Sequence, residues 1–234
     1  MSFGFEYILI ALKWKTQGVN ILKKLLIAFI QIAVLMLFVQ GCSKQVGNEY
    51  AKVNRMLADM DTYTTRAEII VKGTKNVESY VVKQYFKYPD RYRIEVISPP
   101  DKQGKITIYD GVNLKIYQPS IKQLYVMENY KEVEEGSMFP GHFAKNLFSS
   151  EHATYDDEKD KDGEYISVKV AIPGGNRYRK WQILYFDKET IKPVKMEVLD
   201  SEENIAVAIY YRDFLYNAKL DNKIFLLDKE MEKS

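Results

Sequence analysis

The amino-acid sequence predicts an α+β fold in which a strongly curved antiparallel sheet of about ten or eleven strands forms a half-barrel wrapped around helices. The first observation behind this prediction is an alternation of apolar and polar side chains with a period of two, which recurs in short segments along most of the chain. The second is a pair of segments with helical periodicity, each apolar on one side. The number of strands exceeds that of a small sandwich, and therefore favours a curved or partly closed sheet.

The first 41 residues carry the features of a secretion signal. An apolar run of 15 residues, 25–39, follows Lys23 and Lys24. The run is short for a membrane-spanning helix, which needs about 20 apolar residues, but it fits the apolar part of a signal peptide. We therefore predict that residues 1–41 are a signal peptide.

The end of this run predicts a lipid anchor. Val39-Gln40-Gly41-Cys42 resembles the bacterial lipoprotein signal, in which an aliphatic, a variable and a small residue precede a cysteine. Cys42 is the single cysteine of the chain, so it has no partner for an intramolecular disulfide. We expect its thiol to carry a covalent diacylglycerol, residues 42–47 to form a lipidated tether, and residues 48–234 to form a domain on the extracytoplasmic face of the cell membrane. The alternative is an uncleaved anchor helix with an incidental cysteine.

The net charge changes when the signal is removed. Residues 1–41 contain four lysines and one glutamate, so the formal charge of +2 for the whole chain becomes about −1 for the remaining 193 residues. Nucleic-acid binding depends mainly on positive charge. The sequence therefore predicts no nucleic-acid partner.

The predicted elements begin with one helix and continue with strands. Residues 48–60 place Tyr50, Val53, Leu57 and Met60 on one stripe, which predicts an amphipathic helix. From Tyr63 the period changes to two. The first strands are predicted from Tyr63 to Val71 and at residues 80–87, 91–96, 105–109, 113–117 and 123–127, with turns at Pro89-Asp90 and Asp110-Gly111.

The second part of the domain is predicted to be less regular. Residues 128–163 are acidic and contain one predicted helix around residues 142–148, and residues 158–163 are predicted to form a solvated turn. The strands resume at residues 165–172, 181–186, 193–199 and 205–211. Pro173-Gly174-Gly175-Asn176 is predicted to be a turn between two of these strands.

The sequence leaves open what the inside of the curved sheet does. Helices that fill it completely would make it a core, whereas helices that fill it loosely would leave a hydrophobic pocket for an acyl chain. The chain contains 18 tyrosines, a residue type common both on half-buried sheet surfaces and at protein-binding hot spots. The candidate contacts of a partner or a pocket are Tyr85, Tyr88, Tyr109, Tyr117, Tyr125 and Tyr210.

The sequence contains no recognisable catalytic or metal-binding motif. The two histidines, His142 and His152, lie in the irregular region without a metal-binding spacing, and the chain contains neither a GxSxG elbow nor a P-loop. We therefore predict no catalytic residue, no metal and no cofactor other than the covalent lipid. A hydrolase that acts on wall polymers is the least supported alternative.

Several segments resemble the LolA/LppX/RseB superfamily of lipoprotein carriers and envelope sensors. Over about residues 48–227 the order of parts is similar, as in "TYTTRAEIIV", "YFKYPDRYRIEVISPP", "KITIYDGVNLKIYQPSIKQLYVM", "WQILYFDKETIKPVKMEVLD" and "AVAIYYRDFLYNAKLDNKIF". The segments "YRIEVI", "ITIYDG" and "KPVKMEV" follow the predicted lipoprotein signal. In this arrangement the chain looks most like the clostridial spore-germination lipoproteins of the GerS type. The fold that this resemblance implies is LolA-like.

The resemblance also implies a function. It implies a non-enzymatic, membrane-anchored lipoprotein of the spore intermembrane space, which binds and licenses an N-acetylmuramoyl-L-alanine amidase of the CwlD type for the cortex modification that germination needs. The alternative within the superfamily is a carrier or sensor that binds lipid or lipoprotein acyl chains in its cavity. Two differences from the soluble carriers of the superfamily weaken a shuttle role. The chain has a lipoprotein signal that ends at Cys42, and it has Tyr88 at the position where those carriers commonly have an arginine.

Overall fold

The computed structural model of the chain describes residues 48–73, 76–131 and 136–227. The predicted signal peptide, Cys42 and the tether lie outside the described residues and stay predictions. In the described ranges no helix has the length and apolar character needed to cross a membrane. Gly47–Ser234 form one compact unit, and a unit with its own apolar core is expected to fold by itself.

Two α-helices and eleven strands make up the described part of the chain. The helices are α1 (Asn48–Ala58) and α2 (Pro140–Ser149). The strands are β1 (Thr62–Lys72), β2 (Val77–Lys87), β3 (Arg91–Ser98), β4 (Ile106–Tyr109), β5 (Leu114–Gln118), β6 (Gln123–Met127), β7 (Ala153–Lys159), β8 (Glu164–Asn176), β9 (Arg179–Asp187), β10 (Pro193–Leu199) and β11 (Ile205–Tyr216).

All eleven strands join in one antiparallel sheet of order β6-β5-β4-β3-β2-β1-β11-β10-β9-β8-β7. Strands β1 to β6 form one half and β7 to β11 the other, and within each half every strand pairs with its neighbour in sequence. The pairing of β1 with β11 joins the two halves, with Ala67 opposite Tyr211 and Ile69 opposite Ile209. The free edges of the sheet are therefore β6 and β7.

The sheet is curved, because α2 and the residue before it contact both halves. The ring of Phe139 lies 4.5 Å from the ring of Tyr92 on β3, while Asn146 on α2 donates a hydrogen bond of 2.8 Å from Nδ2 to Oε1 of Gln182 on β9. Strands β3 and β9 are five strand intervals apart, about 24 Å in a flat sheet. Helix α2 has 10 residues and is about 15 Å long, so contacts with strands this far apart indicate that the sheet curves around it.

The prediction of a sheet wrapped around helices is nevertheless too strong. The core on the concave face combines Val53 and Leu57 of α1, Phe143 and Leu147 of α2, and alternate residues of the strands. Part of the concave face of β1 to β5 has no residue of either helix against it among the described residues, and remains a groove. Two helices of 11 and 10 residues are too short to cover an eleven-stranded sheet.

Most predicted elements are confirmed, and two predictions in the second half are wrong. Residues 128–163 contain a strand, β7, within the region predicted to be irregular. Pro173-Gly174-Gly175-Asn176 belong to the irregular end of β8, where Asn176 pairs with Arg179, and the turn falls at residues 177–178. The turn in residues 158–163 is confirmed: it joins β7 to β8, and Oδ1 of Asp160 accepts a hydrogen bond of 3.0 Å from the backbone N–H of Gly163.

A second apolar cluster covers the convex face of β2 to β5. The chain returns over this face after β11, and Phe225 and Leu227 are buried there. Nη1 of Arg93 on β3 donates to the backbone oxygen of Ile224 at 3.1 Å. The sheet side of the cluster consists of Tyr85, Ile106, Ile108 and Tyr117. Strands β2 to β5 are therefore covered on part of the concave face and on the convex face.

Candidate binding surfaces

The structure separates the six candidate tyrosines into buried and exposed groups. Tyr85, Tyr109 and Tyr117 are at most 8% exposed, so their rings pack inside the protein and meet no partner on the surface. Tyr109 belongs to the concave core, and Tyr85 and Tyr117 to the convex cluster. Their burial favours the packing alternative, and their role as contacts stays a prediction.

The other three tyrosines are exposed but lie in different places. Tyr88 lies in the turn after β2, beside a depression of about 400 Å³ at the ends of α1 and α2. Tyr125 lies on the edge strand β6, and Tyr210 lies on β11. The structure therefore brings the six residues together at no single site.

The uncovered part of the concave face forms an apolar groove. Its volume is about 260 Å³, just below the roughly 300–1,000 Å³ of typical small-molecule pockets. Its lining is mostly aliphatic and comes from β1 to β5 and from the 3-10 turn before α2, with two lysines near the rim. The lining residues are Ile69, Val71, Tyr80, Val82, Ile94, Val96, Lys102, Lys105, Thr107, Ile116 and Met138.

Polar side chains mark one side of this groove. Nζ of Lys102 donates to the hydroxyl of Tyr80 at 2.7 Å and lies 4.7 Å from the centre of its ring. The same ammonium forms an ion pair of 3.2 Å with Glu78, and the hydroxyl of Tyr80 donates to that carboxylate. These hydrogen bonds raise the pKa of Lys102 and lower the pKa of Glu78. The groove thus combines an apolar floor with a charged rim.

The edge strand β6 forms a second candidate surface. Tyr125 is 48% exposed and Val126 is 49% exposed. Successive side chains of a strand point to opposite faces, so neither face of β6 is covered at this point. Among the residues that the structure describes, strand β6 pairs with β5 alone, which leaves its outer N–H and C=O groups available for pairing with another strand.

The two free edges of the sheet differ in charge. Strand β7 carries Asp156, Asp157, Glu158 and Lys159, and charged side chains are a common protection against strand pairing. Strand β6, with the sequence QLYVM, contains no charged residue. Of the two edges, β6 is therefore the one suited to strand addition.

Tyr210 borders a charged cluster on the convex face. Glu197 accepts a hydrogen bond of 2.8 Å from the hydroxyl of Tyr185 and forms an ion pair of 2.6 Å with Lys195. Nζ of Lys195 lies 4.6 Å from the ring centre of Tyr185 and 6.0 Å from that of Tyr210. Burial and the hydrogen bond to Glu197 raise the pKa of Tyr185. The carboxylate of Glu197 is thus held by two partners and is a structural group.

His142 is buried in the aromatic core and is no surface histidine. Its ring lies 5.3 Å from Phe86 and 5.8 Å from Phe139, and its Nδ1 lies 3.1 Å from the backbone oxygen of Gly136. Because a carbonyl oxygen only accepts, Nδ1 carries the proton. Burial lowers the pKa of His142 to about 4. Among the described residues no group of three or more His, Cys, Asp or Glu side chains is arranged to hold a metal ion.

The structure thus defines a protein with one curved antiparallel sheet, an apolar groove on the concave face and an uncharged edge at β6. The family model described as "Sporulation protein YdcC-like" matches residues 22–225. The chain belongs to this family of YdcC-like sporulation proteins.

Individual relatives support this assignment. Sporulation protein YdcC of Bacillus subtilis (strain 168) is 19% identical over 209 residues, which cover 87% of this chain and 59% of that protein. The chain thus spans less than two thirds of the length of that relative. A chain in the structure of the CwlD amidase from Clostridioides difficile in complex with the GerS lipoprotein is 31% identical, with 75% of this chain and 100% of that chain covered and a TM-score of 0.46. The predicted resemblance to the GerS type is confirmed.

A chain of the LolA superfamily matches as well. The LolA superfamily protein NE2245 from Nitrosomonas europaea is 14% identical, with 78% of this chain and 100% of that chain covered and a TM-score of 0.43.

Two features of these surfaces were not predicted, although the sequence contains a signal for each. The run QLYVM lacks charge, which distinguishes β6 from β7. Lys52 and Arg55 are three residues apart on α1 and lie away from the buried Val53 and Leu57. The groove had no such signal, since its lining comes from five separate strands.

Proposed function

We propose that this chain is a membrane-anchored, non-enzymatic adaptor that binds an N-acetylmuramoyl-L-alanine amidase of the CwlD type in the spore envelope. In this proposal Cys42 carries the lipid, the domain lies on the extracytoplasmic side, and binding licenses the amidase for cortex modification and germination.

The observation that carries the proposal is the 31% sequence identity with a chain from the complex of the CwlD amidase with the GerS lipoprotein. The identity extends over the whole of that chain. The match to the sporulation family over residues 22–225 adds the cellular context.

The proposal assigns amidase binding to the β6 edge. An added strand would pair with the outer backbone groups of β6, and the side chains of Tyr125, Val126 and Met127 would contact it on the two faces. These three side chains are 42–49% exposed. A partner that covers them removes apolar surface from water, which favours binding.

The test is binding of the soluble domain to the CwlD-type amidase of the same genome. Residues 43–234 and the amidase are expressed together and analysed by gel filtration, and their affinity is measured by calorimetry. We expect co-elution, and we expect Val126→Glu to weaken binding at least about tenfold, because a central apolar contact of an interface becomes charged. Failure of every such amidase to co-elute would overturn the proposal.

Val77→Glu is the matched control for this variant. Val77 is also an exposed strand valine, and it lies opposite Lys72 just as Val126 lies opposite Lys115. The new carboxylate therefore faces a lysine in both variants, which favours correct strand pairing. We expect the affinity of the control for the amidase to lie within about twofold of that of the unchanged chain. Equal losses of affinity in both variants would show that the amidase binds elsewhere than at β6.

The groove favours a second function, the binding of an acyl chain. Its floor residues Ile69, Val82 and Ile94 are buried and aliphatic, and Lys102 lies at its rim. A volume of about 260 Å³ is small for this purpose. Native mass spectrometry of the purified domain distinguishes the adaptor from the carrier. An adaptor is expected to be free of lipid, whereas a carrier is expected to retain a fixed ratio of bound lipid to protein.

A further inference from the structure

A patch on the outer side of α1 combines exposed cations with an apolar floor. Lys52 and Arg55 are exposed on α1, and Lys192 lies near them, just after the turn that follows β9. They border an open depression of about 360 Å³. Its apolar floor consists of Met56, Ile191 and Tyr216. We call these six residues the basic patch.

The cations of the basic patch are not neutralised by neighbouring carboxylates. Within the described ranges, the side chains of Lys52, Arg55 and Lys192 take part in none of the ion pairs. By contrast, Lys188 in the same turn forms ion pairs of 3.5 Å with Glu49 and 3.1 Å with Asp157.

One carboxylate, Asp59, also lines the depression. Three cations and this one anion give the lining residues a net charge of +2. The chain from Cys42 onward has a net charge of about −1. The patch is therefore a local exception to the charge of the domain.

The position of the patch in the chain indicates what covers it. Helix α1 begins at Asn48, six residues after Cys42, and six residues span at most about 21 Å. If Cys42 carries the lipid, as in the proposed function, α1 is held within that distance of the bilayer. Where a bilayer surface carries anionic headgroups, they attract basic segments that lie close to the membrane.

We infer that the basic patch binds the surface of an anionic bilayer and so fixes the orientation of the anchored domain. Each cation near an anionic surface raises the binding constant about fivefold, so a net charge of two raises it about 25-fold. Tyrosine and methionine on the floor suit the boundary between headgroups and acyl chains. Such weak binding is sufficient, because the anchor already holds the domain at the membrane.

The test uses soluble residues 43–234, so its outcome does not depend on the lipid anchor. Sedimentation with vesicles of equal parts phosphatidylglycerol and phosphatidylcholine is compared with vesicles of phosphatidylcholine alone. We expect binding to the anionic vesicles only, and its loss at about 1 M salt, where the Debye length falls to about 3 Å. We expect the combined variant Lys52→Glu, Arg55→Glu and Lys192→Glu to bind at least tenfold more weakly.

The control variant changes the charge equally at other places. Lys72→Glu, Lys161→Glu and Lys180→Glu reverse three exposed lysines outside the patch, and we expect this variant to retain vesicle binding within about threefold. No binding to anionic vesicles at low salt, or equal losses in both triple variants, would overturn the inference. Loss of amidase binding by the patch variant, with vesicle binding unchanged, would assign the patch to a protein partner and also overturn it.

Discussion

The protonation state of His142 makes the stability of the aromatic core depend on pH. The imidazole lies between rings of the core, and burial, together with the positive charge of Lys145, lowers its pKa to about 4 from an ordinary value of 6.5. The folded state therefore favours the neutral ring, while the unfolded chain takes up a proton at higher pH. The stabilising effect of the neutral ring is complete above pH 6.5 and is lost as the pH falls from 6.5 toward 4.

We predict that the free energy of unfolding falls by about 2 kcal/mol between pH 7.5 and pH 5. Urea unfolding across this range measures it. The range lies above the ordinary pKa values of Asp and Glu, 3.8 and 4.5, so carboxylates contribute little. His142→Gln should flatten the dependence, and His152→Gln, at an exposed position, should leave it unchanged. An unchanged slope in His142→Gln would show that other groups cause the loss.

At the scale of elements, the sequence predicted those strands that carry an apolar alternation. Strand β3 alternates Tyr92, Ile94 and Val96 with polar residues and was predicted at 91–96. Strand β7, with the sequence ATYDDEK, has no such alternation and is exposed along nearly its whole length. It is a strand because β8 supplies its partners, Ala153 with Val170 through Lys159 with Glu164. Pairing of this kind depends on the neighbouring strand, so local sequence does not reveal it.

The contact between α2 and β2 requires a glycine. A Cβ atom on Gly141 would lie 2.1 Å from Cε1 of Phe86. The Phe86 ring has little room to move, because it lies 5.4 Å from Tyr63 and 5.3 Å from His142, ring centre to ring centre. Alanine normally stabilises a helix by about 1 kcal/mol relative to glycine, but overpacking here costs more.

We therefore predict that Gly141→Ala lowers the free energy of unfolding by about 2 kcal/mol, measured by urea unfolding. Phe86→Leu removes the ring atoms that the new methyl group meets. The double variant should accordingly be more stable than the sum of the two single changes implies. Additive losses would mean that the helix shifts away from β2 instead.

At the scale of the whole molecule, the two halves of the sheet are packed differently. The β1 to β6 half has the helical core on its concave face and the C-terminal segment, residues 217–227, on its convex face. This arrangement explains why Tyr85 and Tyr117 are buried. The sequence predicted the alternation that places them on the convex face, but it did not predict that residues 217–227, at the other end of the domain, cover that face.

The C-terminal segment is fixed in place by polar contacts as well as by apolar packing. Arg93 is 3% exposed and forms an ion pair of 2.7 Å with Glu95, besides its hydrogen bond to Ile224. Nζ of Lys87 on β2 donates a hydrogen bond of 2.8 Å to Oδ1 of Asn222 in the last 3-10 turn. Phe225 follows in the same turn and is 2% exposed.

We predict that Phe225→Ala lowers the free energy of unfolding by about 3–5 kcal/mol, as for other buried phenylalanines, and that it increases the binding of a hydrophobic dye to the folded protein. Urea unfolding and dye fluorescence measure the two effects. The next residue, Leu226, is 52% exposed, so Leu226→Ala should change the free energy by no more than about 0.5 kcal/mol. A difference of less than about 1 kcal/mol between these neighbouring variants would mean that the convex cluster contributes little to stability. The β1 to β6 half would then be held mainly by its concave core.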